Sequence, residues 1–194
     1  FILLPFGTGE VMAVFPKSGL QMWSSSVSGG RRGLARGSID DLTGDPVVAG
    51  GVVYAANQSG RLAAFDANDG ARLWTATEGS YNPVWVARGA VFIVTDAARL
   101  MRLDARTGEP VWAADLPTYR KEKTRKDAYA HFGPIMASGR LLVASSDGKM
   151  RFFSPESGEL LSAVDLPGGA ASLPAIVGGR LYILTADGKL RAFQ

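Results

Sequence analysis

Few residues of this chain could carry chemistry, and they are scattered. His131 is the single histidine and cysteine is absent. A zinc pair of the H-E-x-x-H kind, a thiolate metal site, a disulfide and a cysteine nucleophile are therefore excluded. His131 stands beside Phe132 and ahead of an apolar run, where it reads as a loop-packing residue rather than an acid–base group. Asp40 and Asp41 are adjacent carboxylates that could suggest a cation site. Consecutive loop residues are more often solvated, and contact with a partner is the functional alternative. Asp69, Asp147 and Asp187 each precede glycine, a pairing that belongs to hairpin turns because the carboxylate accepts from the turn backbone. No G-x-S-x-G elbow, phosphate-binding P-loop or G-x-G-x-x-G occurs. Asp66, Asn68 and Trp74, in AFDANDGARLW, could pass for a cofactor site until the rest of the chain is read.

The cationic residues are unevenly placed. Formal net charge is +3, yet Arg120 to Lys126 (RKEKTRK) alone holds five positive charges against one negative. Outside it, 16 basic residues face 17 acidic ones. One segment is basic and the protein is not, which argues against nucleic acid, whose recognition needs positive charge spread along a face. Arg120, Lys121, Lys123, Arg125 and Lys126, flanked by Tyr119 and Tyr129, are candidates for electrostatic docking on an acidic partner or on anionic lipid head groups. No run of about 18 apolar residues is present to form a membrane-spanning helix. The opening FILLPF is too short for the apolar region of a signal peptide and lacks a basic start; we expect further sequence upstream of Phe1.

The elements that position these residues follow from a repeat. AFDANDGARLW (64–74) returns as RLDARTGEPVW (102–112), and more loosely as AVFPKSGLQMW (13–23) and RFFSPESGELLS (151–162). Each copy is an apolar strand, a polar turn ending in glycine, and a second strand with Trp23, Trp74 or Trp112 four residues past the glycine; Ser162 stands there in the last copy. Ahead of the copies lie PVVAGGVVYAAN, PVWVARGAVFIVT, PIMASGRLLVAS and PAIVGGRLYILT, each headed by a proline. From Pro46 to Gly60, Pro134 to Gly148 and Pro174 to Gly188 the distance is 14, and from Pro83 to Ala98 it is 15. Short β-branched and aromatic runs between Gly, Asn and Asp turns predict hairpins in series, and units of roughly 40 residues with four antiparallel strands predict β-propeller blades.

The expected fold is therefore all-β, a partial propeller of about four and a half blades forming one domain. Blade segments are expected at 1–27, 46–79, 83–116, 134–166 and 174–194, with long connections at 28–45 and 117–133. The first unit lacks its first strand and the last lacks its fourth, giving eighteen strands. An open ring leaves unpaired edges, which proteins avoid, so the chain is expected to be the C-terminal part of a larger ring. Trp23, Trp74 and Trp112 are expected to dock adjacent blades.

The A-x-D-x-x-x-G-x-x-x-W skeleton, with P-V-V-x-x-G-x-V-Y before it, resembles the quinoprotein-type repeat. One group carrying it is the pyrroloquinoline-quinone-dependent alcohol and sugar dehydrogenases; another is the BamB family, non-enzymatic lipoproteins of the outer-membrane β-barrel assembly machinery. Over nearly its whole length the chain resembles the C-terminal half of BamB. The connection between Trp23 and Pro46 has a similar length to that family's long loop and ends in a comparable acidic run, IDDLTGDPVV. The resemblance implies an eight-bladed ring whose last blade is closed by an N-terminal strand. It also implies a periplasmic, outer-membrane-associated scaffold without cofactor, held by a lipid anchor outside this chain. BamA would be bound through its POTRA domains, with nascent outer-membrane proteins as further partners. The implied partner-binding residues are Arg36, Asp40, Asp41 and Thr43: Asp41 matches the family's first acidic position, whereas Thr43 falls where the second acid is expected, and Asp40 is the nearest substitute. A dehydrogenase would need a carboxylate base, cation ligands and, in many members, a vicinal disulfide, which a chain without cysteine cannot form. A dehydrogenase fragment and a propeller adaptor for another protein stand as the alternatives.

Overall fold

The computed structural model describes residues 1–27, 29 and 41–194. They form twenty strands, eighteen from the short runs between turns and two, YRK and KDA, from a charged segment. The first sheet holds β1 (Ile2–Pro5), β2 (Glu10–Val14) and β3 (Gln21–Ser26). The second holds β4 (Val47–Ala49), β5 (Val52–Asn57), β6 (Arg61–Asp66) and β7 (Arg72–Ala76), and the third β8 (Trp85–Ala87), β9 (Ala90–Val94), β10 (Arg99–Asp104) and β11 (Pro110–Asp115). A separate two-stranded ribbon, β12 (Tyr119–Lys121) and β13 (Lys126–Ala128), precedes the fourth sheet of β14 (His131–Ala137), β15 (Arg140–Ser145), β16 (Lys149–Phe153) and β17 (Leu160–Asp165). The last sheet is β18 (Ala175–Val177), β19 (Arg180–Leu184) and β20 (Leu190–Phe193). All paired strands are antiparallel neighbours in sequence, so five blades, I to V, follow one another as a partial β-propeller.

Two expectations need correction. The 117–133 connection is not featureless: it contains the β12–β13 ribbon, and β14 begins at His131, so Pro134 lies inside a strand instead of heading one. His131 is correspondingly a buried strand residue, 9% exposed, and not part of a loop. Proline is tolerated inside β14 because the register breaks between Phe132 and Ile135, as expected where a ladder donor is missing.

Alternation decides what each strand buries. In β5, Val53 and Ala55 pack with Val11, Ala13 and Trp23 of blade I. Tyr54 and Ala56 point the other way, onto Val91, Ile93, Met101 and Leu103 of blade III. A middle strand covered on both faces reads as a near-continuous apolar run. The same pattern places Phe92 and Leu100 against Leu141, Val143 and Phe153, and Leu142 and Met150 against Ile183. The core is thus a series of seams between blades.

Tryptophan crosses three of these seams. The Trp23, Trp74 and Trp112 indoles donate to the carbonyls of Ala67 (3.0 Å), Ala105 (2.9 Å) and Pro155 (3.2 Å), each in the third-to-fourth-strand turn of the following blade. Each ring lies on the glycine of that turn: a Cβ on Gly70 would come within 2.6 Å of the Trp23 ring and one on Gly158 within 2.5 Å of Trp112, while both glycines hold positive φ (73° and 74°). Only glycine supplies that backbone and that clearance.

In an antiparallel four-stranded blade the connections after the first and third strands emerge on one face, and those after the second and fourth on the other. The long acidic-ended connection, the 77–84 connection and the β12–β13 ribbon all follow fourth strands and share a face. The first-strand residues Val47, Trp85, Pro134 and Ile135, with Pro83, Val84, Leu173 and Pro174 just ahead of first strands, line a common cleft where blades II to V meet.

Candidate partner-docking face

The acidic-ended connection is clamped at both ends by buried polar groups. At its start, Asn57 is fully buried; its Nδ2 donates to the Gly29 carbonyl (3.0 Å) and its Oδ1 accepts from the Ser59 and Arg61 amides (3.0 and 2.9 Å). At its end, Leu42 is half-buried against the blade I–II seam, and the Thr43 hydroxyl donates to the Ser80 carbonyl at 3.0 Å. Gly44 lies so close to Asn82 that a Cβ would come within 2.6 Å of its carbonyl oxygen. Asp41 is exposed, with its carboxylate over the Gly7 backbone of the β1–β2 turn, where a Cβ would sit 2.7 Å from Oδ1. Leucine and threonine hold the segment down and leave Asp41 and Asp45 facing solvent. Arg36 and Asp40 lie outside the described residues.

The clamp continues across the face. The Ser80 amide donates to the Asn57 carbonyl (2.9 Å), the Ser80 hydroxyl donates to the Val94 carbonyl (2.8 Å), and Asn82 Nδ2 donates to the His131 carbonyl (2.9 Å). His131 Nε2 lies 2.8 Å from the Pro117 carbonyl, which can only accept, so Nε2 carries the proton. Burial pushes its pKa below the usual imidazole range, against the raising effects of the Pro117 bond and Asp147 and together with the lowering effect of Arg151. The neutral ring then accepts from the Ser145 hydroxyl at Nδ1, 2.7 Å away. A serine–histidine pair of this length could suggest nucleophilic catalysis, but Ser145 is fully buried and no substrate could reach it. Arg151 grips Asp147 with two bonds of 3.1 and 2.6 Å beside it. The arrangement is a brace for the foot of the ribbon. These buried anchors had one sequence signal: Asn57, Thr95, Ser145 and Thr185 each close the second strand of a blade or follow it directly, where a polar residue can bond the turn that follows.

The five basic candidates occupy the ribbon. Arg120, Lys121, Lys123, Arg125 and Lys126 are all exposed, and the chain reverses through a one-turn 3₁₀ helix at Glu122–Thr124. Tyr119 and Tyr129 are half-buried at its foot. The acidic end and the basic ribbon are therefore brought to one face but not into contact, since the former joins blades I and II and the latter joins III and IV. On the opposite face, between blades III and IV, a cavity of about 260 Å³ is lined by Ala87, Arg88, Phe92, Arg102, Met136 and Glu156 among others. Arg102 bridges that seam to the Glu156 carbonyl at 3.4 Å. Among the described residues no group of three or more histidine, aspartate or glutamate side chains gathers in a geometry that could hold a metal ion.

Over 175 residues the chain is 24% identical to the outer membrane protein assembly factor BamB of Legionella pneumophila (strain Paris), covering 90% of this chain and 43% of that protein. The crystal structure of BamB from Moraxella catarrhalis superposes with a TM-score of 0.83 at 21% identity, covering 99% of this chain and 55% of that one. A quinohemoprotein alcohol dehydrogenase from Pseudomonas putida HK5 superposes at 0.60 with 17% identity, over 84% of this chain and 33% of that one, a likeness of fold alone. The chain spans about half the length of the BamB proteins it matches. The family model described as outer membrane protein assembly factor BamB matches residues 1–114 and 121–194, leaving out the approach to the basic ribbon and its first two residues, Tyr119 and Arg120. On that match, the chain belongs to the BamB family.

Proposed function

We propose that the chain is the C-terminal half of a BamB-type propeller and serves outer-membrane protein assembly as a non-catalytic periplasmic scaffold. It binds the POTRA domains of BamA through the connection that ends at Asp45. The observation that carries this reading is the family match across both halves of the chain. It is supported by a connection whose apolar and hydroxyl side chains are anchored while Asp41 and Asp45 face solvent. Carboxylates so placed suit electrostatic recognition, which steers association and fixes register. Asp41 is the principal contact, Asp40 and Arg36 extend it, and Thr43 acts by holding the segment in place. In a pull-down with BamA POTRA domains, alanine at Asp40 and Asp41 should weaken capture by about tenfold or more, equivalent to about 1.4 kcal/mol. Capture equal to the parent would remove this connection from the interface.

A second reading, a fragment of a quinoprotein dehydrogenase, draws on the fold likeness to the alcohol dehydrogenase. It is disfavoured by the lack of cysteine for a vicinal disulfide and by the way Asp66, Asp69 and Asp104 are engaged by their own turn amides at 2.8 Å. Titration with pyrroloquinoline quinone in the presence of Ca²⁺ separates the readings: saturable binding would favour the enzyme.

A further inference from the structure

The β12–β13 ribbon stands apart from the blades. Its two strands pair only with each other, with Tyr119 opposite Ala128 and Lys121 opposite Lys126. Two-stranded ribbons are marginal alone, and this one is fixed at its foot. Leu116 is buried at 4% exposure, the Tyr129 amide donates to the Thr118 carbonyl (3.0 Å), and the Pro117 carbonyl is bonded by His131. Every residue from Arg120 to Ala128 is exposed. The ribbon carries five cations against Glu122 and Asp127, so it accounts for the chain's entire net charge of +3. Within it one ion pair forms, Lys121 to Asp127 at 3.5 Å, between side chains that are both more than half exposed. Like charges directly opposite one another disfavour strand pairing, and an exposed ion pair such as Lys121–Asp127 offsets this only weakly. The placement of the facing lysines makes sense for a ligand.

We infer that the β12–β13 ribbon is an electrostatic docking element for an anionic phospholipid surface. Protein interfaces are built around apolar cores with aromatic anchors, and residues 120–127 offer no aromatic or aliphatic side chain beyond the stems of the cations. A dense, rigidly based cluster of guanidinium and ammonium groups fits a diffuse layer of phosphate instead. The absence of an apolar wedge means that the ribbon rests on the head groups without inserting. Near an anionic leaflet each lysine or arginine contributes a factor of about five in partitioning, and the attraction falls within a Debye length of about 8–10 Å. The inference goes beyond the POTRA reading and does not depend on it.

The test is co-sedimentation of the 194-residue chain with phosphatidylcholine vesicles with and without about 30% phosphatidylglycerol, at salt from about 0.05 to about 0.5 M. Binding should require phosphatidylglycerol and disappear at high salt. Lys121→Glu/Lys123→Glu/Arg125→Glu should lower partitioning about 100-fold or more, and the milder Arg120→Gln/Lys126→Gln about 25-fold, from the same factor per cation. Arg106→Glu/Arg180→Glu, on the opposite face, should bind as the parent does. Each variant is compared at matched circular dichroism and melting temperature; the glutamine pair guards against misfolding of the triple variant. Equal binding to phosphatidylcholine alone, or binding to phosphatidylglycerol that survives both ribbon variants, overturns the inference. So does salt-sensitive binding through the ribbon to polyglutamate without any to the vesicles, which would assign it to an acidic protein.

Discussion

The blade seams and the connections above them are built on opposite terms. A seam is repetitive: Trp23, Trp74 and Trp112 each reach one carbonyl and lie on one glycine of the next blade. A connection is singular: Thr43, Ser80, Asn82 and His131 form one chain of polar contacts that is not repeated elsewhere among the described residues. The seams hold most of the buried apolar area and therefore most of the stability. The connections use buried hydrogen bonds to fix the positions of exposed charges. The difference teaches where to look for function in a repeat protein: in what each blade does not share with its neighbours.

The seams should give the largest response. Trp74→Ala removes an 8%-exposed ring that also contacts Tyr54 at 5.9 Å, and should cost about 3–5 kcal/mol in a denaturant melt. Trp112, only half-buried, should cost less. A Trp74→Ala loss under about 1 kcal/mol would mean that the tryptophan does not hold the blades together. Next in size is the clamp. Asn57→Ala strands the amides of Ser59 and Arg61 without their side-chain acceptor and should cost about 1–3 kcal/mol, read by the same melts. A neutral outcome would show that the connection is not tied down at Asn57.

The smallest effect is one of pH. His131 has a folded pKa below its unfolded value of about 6.5, from burial first. The unfolded chain therefore binds more protons between the two values, and stability rises with pH across that window. The contribution is fully present above about 6.5 and is lost as pH falls through the folded value. Melting temperature should drop on acidification from about pH 7.5 to 5, and His131→Gln should flatten that slope. Asp187, held at about 2 by the Thr185 hydroxyl and Lys189, is a depressed carboxylate. Its contribution is lost only below the unfolded aspartate value of about 3.9, so the two windows are separable.

The blades were legible because their spacing is redundant. Even where Ala98 replaces the turn glycine the distance to Gly108 holds, and Ala98 adopts the left-handed backbone (φ 55°) that glycine favours elsewhere. The ribbon was not legible, because YRK and KDA carry no apolar alternation and a charged run reads as loop. The start of β14 was hidden by Gly133-Pro134, a pair that signals a break. At the docking face, Asp41 and Thr43 stood out by resemblance. Ser80 and Asn82 did not, since a serine and an asparagine between two strands look like exposed turn residues until the fold closes over them.

Binding is expected to reside in the singular connections and not in the shared blades. Titrating BamA POTRA domains into the parent chain and into Asp41→Ala tests it most directly. The dissociation constant should weaken by about tenfold with an unchanged melting temperature. Affinity unchanged in Asp41→Ala, and in the variant that also carries Asp40→Ala, would contradict it.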